Sequence, residues 1–88
     1  MPEIKLVIRN KVGLHARPAV LFVQAAQGFQ SEVRVIKAGQ EGNAKSFKAV
    51  LALAVNQNDE VLVRAEGADA EAALAALSRL VEDNFGEK

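Results

Sequence analysis

The sequence predicts a two-layer α/β sandwich of α+β type, with a four-stranded antiparallel sheet covered by three helices in the order βαββαβα. Two helical stripes, a set of alternating segments and the turn-forming clusters between them lead to that class. Apolar residues recur at three- and four-residue steps in Ala19, Phe22, Val23 and Ala26, and again in Ala70, Ala73, Leu74, Leu77, Leu80, Val81 and Phe85. That is the spacing of one helix face. Elsewhere apolar and polar residues alternate, as in strands with one buried side, and such strands close most simply as an antiparallel sheet with its apolar face covered by the long helices.

Taken in order, the first strand is expected from about Glu3 to Arg9, on Ile4, Leu6 and Ile8. Asn10 to Gly13 reads as loop. A helix over about Ala16 to Gln27 begins just ahead of Pro18, whose fixed φ and missing N–H suit a first helical turn. Gly28 is expected to close it as a left-handed residue, with Phe29 folding back on the last turn. Ser31 to Lys37 alternates, Val33 and Val35 facing one way, and a tight turn near Ala38-Gly39 leads into a second, short strand. Ser46 is a good N-cap for a short helix carrying Phe47, Val50 and Leu51. Asn56 to Asp59 is a turn cluster, and Glu60 to Glu66 is the last strand, through Val61, Val63 and Ala65. Asp69 caps the third helix, Glu71 is favourable in its first turn, and Gly86 ends it. Core packing alone explains that helix's stripe.

At 88 residues the chain makes one domain, able to bury about 60–65% of its unfolded surface. Lys+Arg and Asp+Glu are 11 each, so the formal charge is zero and no basic footprint for nucleic acid or an anionic membrane exists. Four dispersed Phe and no Trp or Tyr offer no platform for base stacking. With no Cys and a single His, neither a disulfide frame nor a zinc site is expected, and no cofactor is called for. The alternating start, Met-Pro-Glu-Ile-Lys, does not resemble a signal peptide, and no apolar run is long enough to cross a bilayer. The expected location is cytoplasmic.

The chemistry concentrates in Gly13-Leu14-His15-Ala16-Arg17-Pro18. His15 falls at or near the N-cap of the first helix, with Gly13 letting the incoming loop turn. Helix-start amides lack intrahelical partners and carry the positive end of the dipole, so the position favours an anion over a second cation. A neutral imidazole there is a nucleophile. A phosphoryl group on it would meet the amides of Ala16 and Arg17 and the guanidinium of Arg17, a fork suited to phosphate oxygens. A lone His near a helix start is more often an ordinary polar residue; it is the joint occurrence of Gly13, His15, Arg17 and Pro18 that points to chemistry.

The run Gly13 to Ala19, the Lys45-Ser46 pair opening a second helix and the alanine-rich last helix together resemble the HPr family, histidine-containing phosphocarriers of the bacterial sugar phosphotransferase system. The resemblance covers essentially the whole chain. It implies an open-faced sandwich with first and last strands adjacent and His15 at one end beside the second helix. It further implies that His15, through Nδ1, accepts a phosphoryl group from enzyme I and passes it to a sugar-specific enzyme IIA, the chain acting as a monomeric co-substrate and not as an enzyme.

Partner contact is implied at Val20 and Gln24 on the first helix and at Phe47, Lys48 and Leu51 on the second, with Leu51 equally readable as core and Phe47 expected to be exposed. In Gram-positive members the serine matching Ser46 is a regulatory phosphorylation site, which implies a serine kinase and phosphatase and a transcriptional regulator as further partners. Members with that switch commonly carry an apolar residue and a glycine where this chain has Lys48 and Ala49, so a cation alters the patch those partners use. Glycines common in the family are also replaced by Ala54 and Asn58. A regulatory-only module of the same fold, a nitrogen-branch carrier and a small nucleic-acid-binding sandwich are the alternatives, the last lacking the basic, aromatic face it needs.

Overall fold

The computed structural model describes residues 2–86. Its elements are β1 (Glu3–Val7), α1 (Ala16–Gln27), β2 (Glu32–Lys37), β3 (Gln40–Asn43), α2 (Phe47–Ala52), β4 (Glu60–Glu66) and α3 (Ala70–Glu82), followed by a short 3-10 turn, Asn84–Gly86. The strands form one antiparallel sheet in the order β1-β4-β2-β3, so the first and last strands are neighbours. Val33, Val35, Val61, Val63 and Ala65 turn one face inward, onto Phe22 and Val23 of α1 and Leu74, Leu77 and Val81 of α3. On the other face Arg34 pairs with Glu32 at 2.7 Å and Arg64 with Glu3 at 3.5 Å. Both pairs are exposed and contribute little to stability. The fold class is the one expected.

Local chemistry explains most element boundaries. Ala38 and Gly39 connect the paired residues Lys37 and Gln40 with φ of 50° and 83°. A two-residue hairpin of this hand matches the twist of the flanking strands. Ser46 caps α2 as expected, its side chain accepting from the Ala49 amide at 3.3 Å. β1 stops at Val7 because Ile8 is taken over by the 56–59 turn, donating its N–H to Asp59 O at 2.9 Å and accepting from the Asn58 amide.

Three expectations need correction. Gly28 is not left-handed: it ends α1 with φ −72° and ψ −7°. The last turn tightens instead, with the Gly28 amide on Ala25 O and the Phe29 amide on Ala26 O, both at 3.2 Å, so these two carbonyls are satisfied without a left-handed cap. α3 ends at Glu82 and not at Gly86. Asn84 and Phe85 take φ of 51° and 56°, and this turn, not helical spacing, carries Phe85 back into the core.

Asp69 stands at the N-cap position of α3 but makes no side-chain cap. Its carboxylate reaches across to the α1–β2 loop, where it accepts the Gln30 and Ser31 amides, each at 2.9 Å, and the Ser31 hydroxyl. That diversion also keeps Ser31 out of β2. The Ser31 hydroxyl first, then the Gln30 amide, hold the Asp69 carboxyl below its ordinary value of 3.8. A carboxyl depressed in the folded state binds protons less readily than in the unfolded chain, so its contribution is complete above about pH 4 and is lost as pH falls through and below that value. Asp69→Asn should therefore lower the thermal midpoint at pH 7, and the gap from wild type should close progressively below pH 4. A gap independent of pH would show that the tie is not ionic.

Candidate functional site

Two loops meet at the start of α1. The chain arriving from β1 is shaped by Asn10, whose buried side-chain amide donates to Gly13 O at 2.8 Å, while the Gly13 amide donates back to Asn10 O at 3.1 Å. Gly13 has φ +66°, and a Cβ there would lie 2.2 Å from Val55 O and 2.8 Å from the Cα of Asn56. Only glycine permits this approach. The Leu14 amide then donates to Val55 O at 2.9 Å, and the Leu14 side chain is fully buried. His15 is therefore delivered to a fixed place by its neighbours on both sides.

His15 occupies the N-cap position with φ −130° and ψ 159°, and its side chain does not cap the helix. The ring is half-buried, open to an incoming group. Its Nε2 lies 3.3 Å from Asn56 Oδ1. Ala16 follows with φ 50°, a left-handed turn at a non-glycine residue, before regular helix begins. Such a conformation costs about 1–2 kcal/mol. Arg17 is exposed and makes no hydrogen bond or ion pair among the described residues. Pro18 and Ala19 are buried and anchor the first turn. The amides at this end have no intrahelical acceptor, so a half-exposed imidazole, unpaired backbone donors and an uncommitted guanidinium share one helix start.

The loop carrying Asn56 is itself clamped. The Asn56 amide donates to Asp59 Oδ2 at 2.8 Å, and the Asp59 amide returns to Asn56 O at 3.0 Å. Lys37 at the end of β2 places its ammonium 3.1 Å from Asp59 Oδ2 and donates to Ala54 O at 2.7 Å. The Asn56 amide first, and the Lys37 ammonium second, hold the Asp59 carboxyl below its ordinary value. Ala54 and Asn58 both take positive φ, 53° and 71°. Asn tolerates that readily, whereas Ala pays the left-handed penalty that glycine would avoid.

Val20 and Phe47 are exposed at 38% and 41%, Gln24 and Lys48 are exposed as well, and Leu51 is half-buried against the core. The helices that bear them pack against each other. Ser46 adjoins Phe47 and Lys48 but lies away from His15. Gln27, at the far end of α1, donates to Lys45 O at 3.0 Å, and the Lys45 ammonium donates to Phe29 O at 2.6 Å. This ties the start of α2 to the end of α1, on the order of 18 Å of helix axis from His15. Asn56, Asp59 and Lys37 join the site without a signal in the sequence: a polar turn cluster gives no local sign that it returns to a histidine 41 positions earlier. Among the described residues no cluster of His, Asp and Glu could hold a metal ion, and no helix is long and apolar enough to cross a membrane.

Comparison with known proteins agrees over nearly the whole chain. The family pattern described as the PTS HPr component phosphorylation site matches residues 2–83. A phosphocarrier protein HPr of Mycoplasma genitalium is 40% identical over 85 residues, covering 96% of this chain and 97% of that protein. The HPr-like protein Crh of Bacillus subtilis is 43% identical over 83 residues, covering 94% and 98%. A crystal structure of HPr from Thermoanaerobacter tengcongensis superposes with a TM-score of 0.99 at 48% identity, covering 100% of this chain and 99% of that one.

Proposed function

This chain belongs to the HPr family of phosphocarriers of the phosphotransferase system, and on that footing we propose that His15 accepts a phosphoryl group from enzyme I and passes it to a sugar-specific enzyme IIA. The observation that carries this reading is a half-exposed imidazole at a helix start, beside an arginine with no other partner among the described residues. A ring-nitrogen lone pair attacks phosphorus and forms a P–N bond as the bond from phosphorus to the donor breaks, the electron pair leaving with the donor. Transfer to the acceptor runs the same exchange onward. Arg17 and the first-turn amides hold the phosphoryl oxygens. The chain brings no general acid for a leaving group, so it serves as a co-substrate of its partner enzymes.

Incubation with phosphoenolpyruvate and enzyme I should give an acid-labile, base-stable phosphate on the wild type and none on His15→Ala. Labelling that persists in His15→Ala would overturn the assignment.

Val20, Gln24, Phe47, Lys48 and Leu51 form the docking surface in this reading, small enough for the carrier to leave after each transfer. Ser46 is its regulatory position, acted on by a serine kinase and phosphatase and read by a transcriptional partner. A phosphate there would meet the positive start of α2 and add nearly two negative charges beside the docking surface. ATP-dependent labelling by a matched serine kinase tests this, and no incorporation would leave Ser46 as a cap. The similarity to Crh, a catabolite repression HPr of Bacillus subtilis, favours one second reading, a regulatory-only module. Restored sugar uptake in a strain lacking its own carrier supports the carrier; failure with normal expression supports the module.

A further inference from the structure

We infer that Asn56 is a positioning residue for His15, selecting the ring tautomer that leaves Nδ1 free to act; its consequence for transfer rests on the phosphocarrier reading. An amide oxygen only accepts hydrogen bonds. With Asn56 Oδ1 at 3.3 Å, the contact is a hydrogen bond when His15 Nε2 carries the hydrogen and donates it. In a neutral imidazole the other nitrogen then holds the in-plane lone pair. The nucleophile is thus Nδ1, chosen by a side chain from the opposite loop. The same Nε2–H donor persists when Nδ1 bears a phosphoryl group, so one contact serves both the free and the charged carrier.

The contact is useful only if Asn56 is held still, and the loop does this without using the Asn56 side chain. The backbone of Asn56 is locked by reciprocal bonds with Asp59. Lys37 fastens that turn to the sheet through Asp59 and Ala54 O. The Leu14 amide on Val55 O joins the residue before Asn56 to the residue before His15. All of these remain if the side-chain amide is removed, so Asn56→Ala deletes the contact while leaving the turn intact. A long, exposed hydrogen bond is modest, and its loss should shift a tautomer ratio by about three- to tenfold.

The test is nitrogen-15 NMR of the His15 ring in the intact protein at alkaline pH, for which no donor enzyme is needed. Wild type should show mainly the Nε2–H tautomer. Asn56→Ala should move the ratio toward Nδ1–H by about three- to tenfold, with an unchanged unfolding midpoint, and Asn56→Asp should restore it by returning an acceptor oxygen. Steady-state transfer from enzyme I should show an unchanged KM and a kcat lowered only in proportion to the fraction of Nε2–H tautomer that Asn56→Ala loses. An unaltered ratio in folded Asn56→Ala, or a wild type that is mainly Nδ1–H, would overturn the inference. A shifted ratio in a chain that accepts no phosphoryl group would uphold the role of Asn56 and refute the carrier reading instead.

Discussion

Gly13→Ala should destabilise the domain by about 3 kcal/mol or more and detach His15 from its loop. Two costs combine. At φ +66° an alanine pays the left-handed penalty of about 1–2 kcal/mol. Its Cβ would also sit 2.2 Å from Val55 O, and the obstruction is backbone, which cannot rotate aside. Relief requires Leu14 to part from Val55, breaking the 2.9 Å bond that seats the residue before His15. For a small domain of ordinary stability this is a large fraction of the total. Gly39→Ala is the control, because Gly39 shares a positive φ of 83° but a Cβ there meets nothing within 4 Å. It should cost only the left-handed penalty of about 1–2 kcal/mol. Urea midpoints of the two variants check the argument. Equal losses would mean that the close approach of the loops contributes nothing.

Arg17→Ala should lower phosphoryl acceptance by about 10- to 100-fold, the range of one or two charge-assisted hydrogen bonds. The same change should leave the unfolding midpoint nearly where it was, within about 0.5 kcal/mol, since surface substitutions away from special features have small effects. Arg17 is exposed and commits its guanidinium to no protein partner among the described residues. Arg17→Lys retains the charge but not the planar fork and should fall between the two. The checks are the extent of phosphorylation at fixed enzyme I and phosphoenolpyruvate, set against a urea titration of the same samples. Full acceptance by Arg17→Ala would remove Arg17 from the site.

What could be read along the chain was whatever short-range chemistry controls. Pro18 marked the start of α1, Ala38-Gly39 marked the hairpin, Ser46 marked the cap of α2, and the alternation around Val33, Val35, Val61 and Val63 identified the buried side of the sheet. His15 stood out for the same reason, since its loop and helix lie beside it in sequence. The features that escaped are decided at a distance. Asp69 looks like a cap until Gln30 and Ser31 offer it better donors. Gly28 looks like a left-handed stop until the last turn of α1 tightens onto the Ala25 and Ala26 carbonyls. Asn56 looks like a turn residue until β1 and the loop after it bring His15 alongside. The positive φ of Ala16 has no signature at all, because nothing in an alanine announces it.

The measurement that bears most directly on the account is a chase. The chain is labelled from phosphoenolpyruvate and enzyme I, the donor is removed, and a sugar-specific enzyme IIA is added. The account predicts one phosphate per chain, located on His15 by phosphorus and nitrogen NMR and bonded at Nδ1, which leaves the chain and appears on the acceptor. Phosphate bound to any other residue, or phosphate on His15 that stays when the acceptor is present, would contradict it.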